Sequence, residues 1–153
     1  MEKFKICIGL FLFLIFLGCN NSVNSKIIRS DLLKNIEGFI TYSEESISNF
    51  KTNETDTNIY WVEFFEKNNK KALVIMQQPY YKSEIYDGFI RVGENLVFFY
   101  YSNNNFVDTS KLNRTPPSDT PDENSKESEL GFSAPNWSYY IKDDSLEKFD
   151  LEE

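Results

Sequence analysis

The chain of 153 residues contains no histidine. That excludes Ser-His-Asp and Cys-His catalysis, a His-ligated metal and the commonest general base. Cysteine is nearly absent too: Cys7 and Cys19 are the only two, far short of a disulfide framework. There is no basic excess. Sixteen Lys and Arg stand against 24 Asp and Glu, a net charge of −8. This argues against nucleic acid, which selects basic faces, and against broad electrostatic adhesion to anionic lipid heads. No apolar run approaches the roughly 20 residues that span a bilayer.

What is present begins at the N-terminus. MEKFK is charged, and "ICIGLFLFLIFL" follows at 6–17, apolar throughout with one Gly. A charged start, a short apolar run and a small residue at its end are the parts of a secretory signal peptide. Gly18-Cys19 closes the run, with Phe16 and Leu17 before it. This stretch resembles the lipobox of bacterial lipoproteins, although that family usually has Leu three residues before the Cys and a smaller residue at the next position. The resemblance covers residues 1–20 only. It implies a diacylglycerol on the Cys19 thiol, removal of residues 1–18, and a cell-envelope address on a membrane. Asn20 after the Cys favours the outer membrane where the host has one. Two or three acyl chains give stable attachment where one gives a marginal one. Residues 1–18 take Lys3, Lys5 and Glu2 with them, leaving 14 basic and 23 acidic side chains of the original 16 and 24, a net −9. Cys19 is then the sole cysteine, so no internal disulfide is expected.

Residues 19–26 are small and polar and are expected to tether the lipid to the fold. A β-rich domain is expected over 27–107. Ile27, Ile28, Leu32, Leu33 and Ile36 recur at helical spacing, and Gly38 is placed to end a helix over 29–37. "GFITYSE" after it alternates weakly, as a strand would, and residues 52–58 form a loop. "NIYWVEFFE" and "ALVIMQQ" flank the polar "KNNKK", predicting a hairpin of 59–66 with 72–78. "IYDGFIRV" and "NLVFFYYS" flank "GEN", predicting a second hairpin of 85–92 with 95–102. Both faces of these strands are apolar, so both must be covered. Glu63 and Arg91 interrupt the aromatic rows and are candidates to pair across the sheet.

Residues 108–130 are almost free of hydrophobes, which predicts a disordered acidic insertion. Residues 131–153 resume the pattern. "NWSYYIK" reads as a strand, "DD" as its turn and "LEKFDL" as a partner strand, with a helix from Asp144 as the rival. The expected architecture is mainly β: a small antiparallel sheet or sandwich of about six strands, extended to α+β by one N-terminal helix.

Paired carboxylates at Glu44-Glu45, Asp122-Glu123 and Asp143-Asp144 would suit a small hydrolase if they flanked a cleft. As sequence neighbours in loops they read first as solvated charge. "ETDTN" and "DENSKE" space oxygens as a Ca²⁺ loop does, but the first lacks its Gly and closing Glu and the second has Lys126 at a ligand position and no Gly after it, so neither metal nor cofactor is expected. Sequons at Asn53, Asn113 and Asn136 read as chance in an Asn-rich chain. Aromatics make up 16% of the residues. Most are expected in the core. "QQPYYKSE" is a connection, so Tyr80 and Tyr81, with Trp61 and Trp137, are the candidate ligand-binding residues. The expected role is a non-catalytic binding or envelope-interaction module, with an envelope protein or glycan as partner. The rival is a hydrolase using paired carboxylates.

Overall fold

The computed structural model describes residues 23–46, 58–102, 104–124 and 135–149. Residues 1–22, with the apolar run and Cys19, lie outside these, as does the 52–58 loop apart from Asn58. The described residues form a long helix, α1 (Ser30–Ser46), a 3-10 turn at Thr109–Lys111, and six strands: β1 (Ile59–Lys67), β2 (Lys70–Gln78), β3 (Tyr86–Val92), β4 (Asn95–Tyr100), β5 (Asn136–Lys142) and β6 (Ser145–Phe149). The strands form a single sheet in the order β3-β4-β1-β2-β5-β6. The α+β arrangement of about six strands is therefore present, and every pair of neighbours in the sheet is antiparallel except one. β1 and β4 run parallel, with Ile59 opposite Leu96. The second hairpin docks with β4 inward because every residue of β4 is apolar or satisfied in burial. β3 carries the exposed Arg91 and takes the edge.

Two of the tight turns follow the same local chemistry. Lys67 pairs with Lys70 around Asn68-Asn69, at φ 54° and 59°. Lys142 pairs with Ser145 around Asp143-Asp144, at φ 46° and 62°. Two consecutive left-handed residues make the hairpin turn that matches strand twist, and Asn and Asp tolerate it best after Gly. The segment after Lys142 is thus the strand, not the rival helix.

α1 is longer than its sequence suggests. Leu32, Leu33, Ile36, Phe39, Ile40 and Ser43 form one continuous buried stripe, so the helical period passes through Gly38 and absorbs "GFITYSE". A Cβ at Gly38 would sit 3.6 Å from the Trp137 ring. The glycine marks where β5 packs on the helix and not where the helix stops.

The stripe covers one face of the sheet, over Tyr60, Val62, Leu73, Ile75 and Tyr139. The opposite face holds a second cluster of Ile59, Trp61, Phe89, Leu96, Phe98 and Tyr100. Both faces are closed over, as the doubly apolar strands require.

Two expectations need correction. Residues 23–26 do not behave as tether. Asn24 is buried, its Nδ2 donating to the Arg91 carbonyl at 2.7 Å, and Ile28 enters the core opposite Val107. The insertion expected to be disordered over 108–130 follows a defined course as far as Asn124. Phe106, Val107 and Leu112 are buried in the helix-side cluster. Asn113 then pairs with Phe89 on the free edge of β3, and Asp122 pairs with Tyr81 on the far face. The segment wraps the edge strand from one face of the sheet to the other. Unpaired edge groups supply the partners that the segment's sparse hydrophobes could not. Residues 125–130 lie outside the described ones.

Candidate functional site

Three of the four candidate aromatics meet. On the face away from α1, Trp61 donates its indole N–H to the Tyr80 carbonyl at 2.8 Å. Its ring lies 5.6 Å from that of Tyr80 and 5.1 Å from that of Tyr100. Tyr81 stacks on Phe98 at 4.6 Å. The connection 79–85 brings the tyrosines there because Pro79 ends β2, and the Tyr81–Asp122 bridge ties the turn down from above. Trp61 is only 4% exposed, so it is a floor and not a platform. Tyr80 and Tyr81 are half-buried and present their outer rims.

Trp137 is elsewhere. It sits on the α1 face, 5.4 Å from Phe39 and 5.5 Å from Tyr42, with the Lys148 ammonium 4.1 Å above its ring. Its work is helix packing.

Beside the aromatic group, the Lys82 ammonium lies 4.5 Å over Trp61 and 3.4 Å from Glu63 Oε2. Glu63 therefore pairs with Lys82. Arg91 is two strands away and does not reach it. The Tyr100 hydroxyl accepts the Lys82 backbone N–H at 2.9 Å. Burial raises the Tyr100 pKa strongly, against the lowering pull of that bond. Tyr81 is raised too, by burial first and then by Tyr86 and Asp122. These phenols stay neutral over the physiological range.

The carboxylates do not converge as pairs. Glu44-Glu45 ends α1 and Asp143-Asp144 fills a turn, all four exposed. Asp122-Glu123 is half-buried beside Tyr81. What the sequence did not announce is a polar chain that starts from Glu44 at this C-terminal end of α1. Glu44 Oε1 accepts Asn95 Nδ2 at 3.0 Å, Asn95 Oδ1 accepts Asn58 Nδ2 at 3.4 Å, and Asn58 Oδ1 accepts Gln77 Nε2 at 3.4 Å. It underlies an open cleft of about 400 Å³ bordered by Glu37, Glu44 and Glu94. Among the described residues, no three His, Cys, Asp or Glu gather to hold a metal ion. The alternating-oxygen stretches, "ETDTN" and "DENSKE", lie largely outside those residues.

Comparison with protein-family models, with curated proteins and with solved structures found no match for this chain.

Proposed function

We propose that the protein is a bacterial lipoprotein, held to a cell-envelope membrane through acyl chains on Cys19, and that it acts as a non-catalytic binding module. The observation that carries this reading is the apolar run ending in Gly18-Cys19, followed after three residues by a body whose second described residue, Asn24, is already buried. A leader, a lipid attachment point and a folded domain follow one another with no spare chain. Among the described residues no helix is long and apolar enough to cross a membrane, so attachment in this reading comes from lipid.

Support for binding over catalysis comes from the distribution of acids and aromatics. The carboxylate pairs are apart and mostly exposed, whereas shielded acids converging on one cleft are what a carboxylate hydrolase needs. Half-buried tyrosines beside an ion pair suit recognition of an envelope protein or glycan.

Metabolic labelling with palmitate tests the anchor. The native chain should take up label and sediment with membranes, and Cys19→Ser should do neither. An unmodified Cys19 thiol in the mature protein would overturn the reading.

A further inference from the structure

Three unusual features meet at the end of β4, on the α1 side of the sheet. The first is Tyr101. It has φ of 56° and is 56% exposed. A bulky aromatic in the left-handed region is an outlier held by its surroundings. Here the holder is Asp87, whose Oδ2 accepts the Ser102 backbone N–H at 2.7 Å and the Ser102 hydroxyl at 2.6 Å. The strain keeps a large ring facing water, where no packing rewards it.

The second is Asn104. Its Oδ1 accepts the Phe106 N–H at 2.8 Å, which fixes the amide's orientation. Its Nδ2 is buried and has no hydrogen-bond partner. Buried donors are almost always satisfied, so this one awaits an acceptor. The third is a hollow of about 250 Å³ that both residues line, with Phe64, Ile141, Glu66 and Lys71.

We propose that this hollow binds a neutral sugar ring. Glu66 and Lys71 face each other directly in the β1–β2 ladder, so one carboxylate and one ammonium cancel and the site selects no charge. That disfavours phosphates, nucleotides and polyamines. Tyr101, Phe64 and Ile141 offer apolar surface to a CH face. Asn104 Nδ2 is closed off from solvent, and it donates to a hydroxyl or acetamido oxygen once its cover yields as the ring enters. Glu66 accepts from hydroxyls and Lys71 donates to them. A ligand with one apolar face and both donors and acceptors on its rim is a hexose or an N-acetylhexosamine. An extended peptide would instead need a groove with free strand edges, and here β1 is paired on both sides. The proposal does not depend on the lipid anchor.

The test uses the full chain in detergent micelles, labelled with ¹⁵N. Chitotriose and cellotriose are titrated against the Asn104 side-chain amide signals, with inorganic phosphate and a neutral tripeptide as controls. The expected result is that at least one saccharide shifts those signals and neither control does. Tyr101→Ala and Asn104→Ala should each weaken saccharide binding at least tenfold, and Tyr101→Phe should retain it. Tyr101→Gly should raise the melting temperature, by releasing strain, while weakening binding as Tyr101→Ala does. Silence of the Asn104 amide with both saccharides, unchanged affinity in a folded Tyr101→Ala, or a shift with either control would overturn the proposal.

Discussion

The hydroxyls of Ser43 and Tyr60 lie 2.8 Å apart in the interior, joining the last turns of α1 to β1 near the middle of the sheet. Ser43 Oγ is also 2.9 Å from the Ile40 carbonyl. Its one proton goes there, so the Tyr60 hydroxyl donates to Ser43. The Tyr60 hydroxyl is satisfied only because Ser43 is present, whereas Ser43 keeps its bond to Ile40 without Tyr60. Removing them one at a time should be unequal. Tyr60→Phe deletes a donor and leaves Ser43 bonded to Ile40, which should cost about 1 kcal/mol. Ser43→Ala strands a buried phenol and should cost about 1–3 kcal/mol. Urea unfolding of the two variants checks the order.

The same burial makes stability sensitive to alkali. Desolvation pushes the Tyr60 pKa up to about 12, with the Ser43 bond opposing it and the Glu44 charge adding to it. Tyr100 and Tyr139 are raised in the same direction by burial. Below about pH 10 these phenols are protonated folded and unfolded alike, so stability does not depend on them. Above it the unfolded chain loses protons that the folded one keeps. Stability should therefore fall as pH rises from about 10 toward 12, and Tyr60 alone should account for on the order of 2–3 kcal/mol by the end of that window. Unfolding followed at pH 8, 10 and 11 should show the decline, and Tyr60→Phe should make it shallower, with Tyr100 and Tyr139 supplying the rest. An unchanged midpoint at pH 11 would contradict the burial of these groups.

The hairpins were legible because their signals are local. Asn68-Asn69 and Asp143-Asp144 announce turns, and the flanking runs announce strands. The parallel contact of β4 with β1 was not legible, since it depends on which strand of a docked hairpin turns inward. Gly38 misled because a glycine at a helix end and a glycine under a tryptophan look alike until β5 is in place. The wrap of 104–124 was hidden for a related reason. Its stability comes from the free edge of β3, and an edge is a property of the sheet rather than of the segment. Of the candidate ligand-binding residues, Tyr80, Tyr81 and Trp61 lie together and Trp137 lies on the other face, and no pattern in the sequence separates the two sets or tells an aromatic floor from an aromatic platform.

Gly88 and Leu112 test that wrap directly. Gly88 has φ of 144°, and a Cβ there would come within 2.5 Å of Leu112 Cβ and 2.8 Å of the Asn113 carbonyl oxygen. Neither neighbour can withdraw without breaking the Phe89–Asn113 bridge. Gly88→Ala should cost at least about 2 kcal/mol. Leu112→Ala, emptying a site that is 5% exposed, should cost about 2–4 kcal/mol. Deleting 112–124 should then lower the melting temperature clearly. A deletion that left it unchanged would mean that the segment contributes nothing to the fold.

Gly38 makes the opposite prediction. It lies inside α1, and the nearest atom to a new methyl would be the Trp137 ring at 3.6 Å, an ordinary contact. Gly38→Ala should raise helix propensity without a clash and stabilise the protein by about 0.5–1 kcal/mol. Thermal unfolding monitored by circular dichroism checks it. Gly38→Val would add a branched side chain toward the indole and should lose that gain.

The last prediction concerns how a lipid anchor on Cys19 would hold this body. Three residues separate Cys19 from Val23, and the four Cα–Cα steps between them reach at most about 14 Å. Asn24, bonded to the Arg91 carbonyl at 2.7 Å, fixes where that short link leaves the fold. The exposed Lys26 lies on that side, and its carbonyl accepts from Lys111 Nζ at 3.4 Å. Lys70 and Lys71, by the β1–β2 turn, lie at the other end of the sheet. In vesicles, an amine reagent too polar to enter the bilayer should modify Lys26 and Lys111 more slowly than in detergent, and Lys70 and Lys71 at the same rate in both. Twenty Gly and Ser residues inserted after Asn20 should remove the difference while the chain still sediments with vesicles. Equal rates at all four lysines in the native chain, with sedimentation intact, would mean that the anchor does not orient the domain.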